Sequence, residues 1–202
     1  MLLDIYISHE RILSIIPFFV IVLFIFLFYL MYRSQRKKLE PLAAELGGKT
    51  SLTLLGAQVR LQKSGFEVFI RTLPGGGSAP PCLIIKQMSP LAFSLHIFKM
   101  AGDGRALIRL GMQDIKIGDP VFDAKYCVQS SDPGKAVNYI QIPARREAIE
   151  YFFNSGFTSL RATAKSISVT KPLSSLRPYR DRDFDPLKIR PHLDQIRKLA
   201  AE

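Results

Sequence analysis

The chain is poor in metal ligands, with 2 cysteines and 3 histidines among 202 residues. Cys82 and Cys127 fall in separate predicted strands, and His9, His96 and His192 are widely scattered. No Cys/His group has zinc-ligand spacing, so no structural metal is expected. In a reducing cytoplasm both thiols are expected to be free and to serve as small apolar fillers. An extracytoplasmic domain would allow a disulfide between them without requiring one. Nucleophile settings are missing too, since no Gly-x-Ser-x-Gly sequence occurs. His96 and His192 read as a surface strand residue and a helix residue rather than as catalytic bases. The Gly75–Gly77 run joins two predicted strands and leads into Ser78, Ala79, Pro80 and Pro81. A phosphate loop would instead lead into Lys and Ser/Thr at a helix start. Neither a cofactor nor an enzymatic activity is expected, and the chain has no internal repeats.

Charge is absent from one long stretch. From Ile12 to Tyr32, 21 consecutive residues carry none, and most are Ile, Leu, Val or Phe. As a helix this run is about 31 Å long, close to the hydrocarbon thickness of a bilayer. It ends in Tyr29, Leu30, Met31, Tyr32 and Arg33, without the small residues of a signal cleavage site, which favours a retained anchor. It lacks a Gly-x-x-x-Gly face and any Asp, Glu, Lys, Arg or His, so lipid contact is expected rather than an ion path. Residues 1–10 contain no Lys or Arg, whereas Arg33, Arg36, Lys37 and Lys38 crowd the other flank. Positive flanks stay cytoplasmic, so the expectation is a single-pass membrane protein. Its N-terminus would be outside and its domain in the cytoplasm. The same four cations are expected to meet anionic lipid headgroups.

The remaining residues, 39–202, hold 23 Lys and Arg against 15 Asp and Glu, a balance of +8. They suit one domain with a real core. Nucleic acid is disfavoured as a partner, because no basic motif is interleaved with stacking aromatics. Arg177, Arg180, Arg182, Lys188 and Arg190 alternate with Asp181, Asp183 and Asp185, the pattern of local ion pairs on a solvated connection.

The expected organisation is a short N-terminus at 1–11, a membrane helix at 12–32, and a basic segment with a short helix at 33–48. A cytoplasmic domain follows at 49–171, then a polar connection and an amphipathic helix at 172–202. Strands are predicted at 50–55, 57–63, 66–72, 82–87 and 92–100 from two-residue alternation and flanking turn residues. Shorter ones are predicted at 106–110, 125–129, 160–163 and 166–170. Asp132 before Pro133 opens a helix to about residue 140, and Pro143 opens another to about 154. Ala144, Ala148, Ile149, Phe152 and Phe153 form the stripe of the second, and Leu187, Leu193, Ile196 and Leu199 that of the last helix. The fold class is α+β, helices on one face of a mainly antiparallel sheet.

The most distinctive stretch runs Gly118, Asp119, Pro120, Val121, Phe122, Asp123, then a strand, then Ser131, Asp132, Pro133. Asp119 is expected to cap a turn, Phe122 to enter the core and Asp123 to start the strand. Together with the L-A-x-x-L-G-G segment at Leu42–Gly48, this pattern resembles a family of bacterial membrane-anchored proteins of unknown function. The resemblance implies a fold and a membrane address, the bacterial inner membrane, and supplies no catalytic residues. The expected role is a noncatalytic accessory or assembly subunit that docks its domain on a larger membrane protein complex. The rival is a ligand-binding or enzymatic domain, for which Asp119 and Asp123 would have to line a concave site near Arg145 or Arg146.

Overall fold

The computed structural model describes residues 9–53, 56–63, 66–73, 81–99, 114–173 and 184–200. The predicted strand at 106–110, the Gly75–Gly77 run and the Arg177–Asp183 part of the connection lie outside them.

A 38-residue helix, α1 (His9–Leu46), opens the chain. Strands β1 (Lys49–Thr53), β2 (Gly56–Lys63), β3 (Phe66–Leu73), β4 (Cys82–Met88) and β5 (Leu95–Lys99) follow. Then come α2 (Pro120–Lys125), β6 (Tyr126–Ser130), α3 (Pro133–Gln141), α4 (Pro143–Asn154), β7 (Ser159–Ala162), β8 (Ser166–Pro172) and α5 (Pro186–Ala200). The strands form one sheet in the order β1-β2-β3-β4-β8-β7-β5-β6, and every neighbouring pair is antiparallel. The class is therefore α+β. Chain order fails at one place: the β7–β8 hairpin, last of the strands, inserts between β4 and β5.

The registers align one row of side chains across the sheet: Val59, Ile70, Ile85, Val169, Leu160, Ile97 and Val128, from β2 to β6. All seven are at 0% exposure. The helices cover this face. Leu39, Leu42 and Ala43 of α1, Ala136 and Ile140 of α3, Ile149 and Phe152 of α4, and Ile189 and Ile196 of α5 join the same buried cluster. Burying each of the Val, Leu, Ile and Phe side chains among them stabilises the fold by about 1.5–3 kcal/mol.

Two expectations about α1 change. The basic flank and the 39–46 segment are not a separate short helix but the continuation of the first. Pro41, a residue type at home in the first turn of a helix, sits deep inside α1. It removes one hydrogen bond there, on a side where Lys37 and Pro41 are both exposed. An Arg36–Glu40 pair at 3.4 Å spans the same turn. The L-A-x-x-L-G-G segment ends the helix: Gly48 N donates to Ala43 O (2.7 Å) and Gly47 N to Ala44 O (3.3 Å), with Gly47 at φ 71°. That is a Schellman cap, which places glycine in the left-handed region. A Cβ on Gly48 would lie 2.8 Å from Arg60 O, so the chain needs glycine to turn directly into β1. As for the span, described side chains on α1 run from Pro17 to Leu27, with Tyr29 and Leu30 beyond. That run is about 16 Å of helix, and over the described residues no helix is long and apolar enough to cross a membrane. The apolar run of the sequence extends past it at both ends.

Smaller corrections concern helix phase. Leu187 was expected in the α5 stripe but is 72% exposed, and Ala144 of α4 is exposed as well. The buried α5 stripe is Ile189, His192, Leu193, Ile196 and Leu199. That includes His192, which rests among Phe152, Phe157 and Tyr151, with its Nδ1 3.0 Å from the Tyr151 hydroxyl.

Phe152→Ala should cost about 3–5 kcal/mol of stability, as expected for a large core ring replaced by a void. Leu187→Ala should change it by less than about 0.5 kcal/mol. Chemical denaturation of the detergent-solubilised chain, followed by circular dichroism, measures both.

Candidate functional site

The Gly118–Asp123 stretch is a self-contained turn. Asp119 is the N-cap of α2, accepting from Val121 N (2.9 Å) and Phe122 N (3.0 Å). Pro120 fills the first helical position, where a missing N–H costs nothing. Gly118 supplies φ 85°. Phe122 is buried and stacks near Tyr126, which in turn meets Phe153, both at 4.6 Å between centroids. Asp123 does not start the strand. It lies inside α2, and its two carboxylate oxygens accept from Ile117 N (3.0 Å) and Gly118 N (3.2 Å); β6 begins three residues later at Tyr126. The Asp-Pro pair acts at 119–120 as it does at 132–133, where Asp132 caps α3 through Lys135 N (3.0 Å).

Arg146 does reach this turn, pairing with Asp119 and, at 3.3 Å, with Glu150. Arg145 turns instead to the ring of Tyr139, 4.4 Å away. Both carboxylates of the turn are thus occupied by backbone N–H groups and a guanidinium. They brace a loop, and the motive for reading them as a reactive pair is gone. Arg33, Arg36 and Lys37 stand exposed along α1, and the Lys38 side chain lies outside the described residues.

Electrostatics follow these contacts. The N–H of Phe122, then the Arg146 guanidinium, hold Asp119 below the usual carboxylate range. The N–H of Lys135, then its ammonium, do the same for Asp132. For Asp114, partial burial works against ionisation, but Lys116, Val128 N and the Cys127 thiol outweigh it and the net shift is downward. Burial, aided by the bond to Asp114, pushes the Cys127 thiol up to about 12. Cys82 and Cys127 stand four strand positions apart, roughly 19 Å, far beyond disulfide reach.

Sequence reasoning missed the face of the sheet opposite the described helices. Side chains alternate along each strand, so the rows on either side of the buried one point away from the helices. One runs Lys49, Arg60, Phe69, Lys86, Ser168, Arg161, His96, Gln129 across all eight strands. The other runs Ser51, Gln58, Arg71, Ile84, Thr170, Ser159, Phe98, Cys127. Between them opens a groove of about 450 Å³, edged by Arg71, Lys86 and Arg161 and floored by Ser159, Ser168 and Thr170. The eight strands contain a single carboxylate, Glu67, and Arg60 already pairs with it. The available signal was compositional: the polar positions of β3, β4, β7 and β8 are almost all basic or hydroxylic.

The chain shares its fold with a transport factor. It is similar to the crystal structure of the mycobacterial trehalose monomycolate transport factor A, TtfA, with a TM-score of 0.51 and 14% identity. The likeness covers 82% of this chain and 96% of that one. At that identity it is a likeness of fold alone. No protein-family model matches the chain, and no curated protein matches it.

Two outcomes follow from the electrostatics. With folded-state values depressed, the carboxylates of Asp114, Asp119 and Asp132 stabilise the fold fully above their unfolded value of about 4. That contribution is lost as pH falls through the lowered folded values. Asp119→Asn should therefore lower the melting temperature at pH 7, and its deficit against wild type should shrink below about pH 4; melting curves across pH test this. Cys127 carries almost no thiolate at neutral pH. Iodoacetamide should leave it unmodified in the folded protein and alkylate it in denaturant, as read by peptide mass spectrometry.

Proposed function

We propose that this chain is a noncatalytic accessory subunit, tethered in the bacterial inner membrane by residues 12–32, whose domain docks on a larger membrane protein complex. The N-terminus lies outside and the domain in the cytoplasm, the orientation that the flanking cations favour. One observation carries the reading. A single helix, α1, exposes Phe18, Phe19, Phe24 and Ile25 at one end and buries Leu39, Leu42 and Ala43 in the domain at the other. A bulky apolar surface of that kind is stable only when something apolar covers it, and a bilayer does so. Because the helix is continuous, the tether holds the domain directly at the headgroups, where Arg33, Arg36 and Lys37 meet anionic lipid. The turn at Gly118–Asp123 supports the noncatalytic side of the reading, since its carboxylates serve the backbone. TtfA is named as a transport factor, so transport assemblies are the first complexes in which to look for a partner.

The chain should stay in the membrane pellet after alkaline carbonate washing, and a C-terminal tag should resist protease added to intact spheroplasts. Cross-linking followed by mild-detergent purification should bring down a membrane partner in fixed ratio. Release into the carbonate supernatant, or recovery as a solitary monomer in several detergents, would sink the proposal. Replacing Arg33, Arg36, Lys37 and Lys38 together with Gln should yield mixed orientation, seen as partial loss of tag protection.

A further inference from the structure

We propose that the groove on the sheet face opposite the described helices is an anion site, in which Arg71, Lys86 and Arg161 hold a phosphate group over the hydroxyls of Ser159, Ser168 and Thr170. The three cations come from β3, β4 and β7; β8 supplies the hydroxyls of Ser168 and Thr170, and β7 that of Ser159. Lys86 and Arg161 share a row at two strand spacings, about 10 Å, with Ser168 midway. Arg71 sits on the adjacent same-face row, diagonal to Lys86. Long basic side chains from these positions can converge above the hydroxyl floor.

Charge balance argues for a ligand. Among the described residues no carboxylate lines the groove or pairs with Arg71, Lys86 or Arg161. The Nε of Arg71 is buried and meets no acceptor among them. A buried guanidinium donor without an acceptor is costly, and an oxyanion supplies one in bidentate geometry. A carboxylate carries one charge in a plane and would satisfy one of the three cations. A phosphate offers up to two charges and tetrahedral oxygens, which match donors arriving from three strands and from below. A nucleic-acid strand fits less well, because the aromatic faces needed for base stacking are engaged. The Phe69 ring lies 5.9 Å from the Arg60 guanidinium, and Phe98 packs on His96 at 5.1 Å. A free phosphate or small monoester brings up to two charges and a diester lipid headgroup brings one; each presents tetrahedrally arranged anionic oxygens to the groove.

The test uses the full chain in an uncharged detergent. Calorimetric titrations with glycerol phosphate and with water-soluble dihexanoyl phosphatidylglycerol separate the two sources, and dihexanoyl phosphatidylcholine serves as the zwitterionic comparison. One of the two anionic probes should bind saturably, more weakly as salt rises, and should raise the melting temperature. Arg71→Gln, Lys86→Gln and Arg161→Gln should each weaken it by about tenfold or more, the loss of one charge-assisted hydrogen bond. Lys188→Gln, at an exposed position of α5, should not. Circular dichroism confirms that each variant is folded, and Lys86→Arg should retain binding. Equal binding of all three probes, wild-type affinity in the three Gln variants, or tighter binding of an oligothymidylate than of either anionic probe would overturn the assignment.

Discussion

Seven aliphatic side chains, lined up across seven strands and fully withdrawn from water, fix everything else in this domain. A strand presents alternate residues to opposite faces, so the position of Val59, Ile70, Ile85, Val169, Leu160, Ile97 and Val128 dictates both flanking rows. A slip of one residue in β4 would bury Lys86 and expose Ile85; a slip in β7 would bury Arg161 and expose Leu160. Taking an unpaired cation out of water costs several kcal/mol, added to the lost burial of the aliphatic partner. The row is therefore the register constraint as well as the core. The groove on the opposite face inherits its geometry from it.

That row is completed late in the chain. β1 to β4 form a meander by local hairpins, and β5 and β6 pair at the far edge. Only the β7–β8 hairpin joins the two parts, through β4–β8 and β5–β7 pairing. The loop closure behind Ile85–Val169 is long, and its entropy must be met before those contacts form. Both the hydroxyl floor and Arg161 belong to this hairpin. The groove thus exists only when the whole sheet does, whereas the caps at Asp119 and Asp132 depend on neighbours a few residues away.

This difference in range explains what could be read from the sequence. Alternation in Phe66–Ile70 and the Asp132–Pro133 helix start are local signals, and both elements stand where expected. The same dipeptide at Asp119–Pro120 passed for a turn because α2 has six residues, too few to display a helical period. In α5, Leu187 and Ile189 both offer an apolar start to the stripe, and packing against α4 and the sheet decides for Ile189. Pro41 is a helix opener by preference and an interior residue here, since its exposed position makes the lost hydrogen bond cheap. The groove was illegible for another reason. Arg71, Lys86 and Arg161 become neighbours only through a strand order in which β8 and β7 follow β4, and no local pattern encodes that order.

The charges of the chain are sorted by this architecture. Asp114, Asp119, Asp123 and Asp132 all serve backbone N–H groups or adjacent cations at the loops and helix starts near β6. None faces the groove. The strands keep one carboxylate, which Arg60 takes. A balance of +8 over residues 39–202 could have been a dispersed, solvated surface charge. Instead the sheet concentrates part of it on a floor of hydroxyls, above a layer of packed hydrocarbon that excludes water from one side. A low-dielectric wall beneath like charges strengthens their field toward solvent. The described acidic side chains nearest the sheet are committed elsewhere, and none of them balances this face.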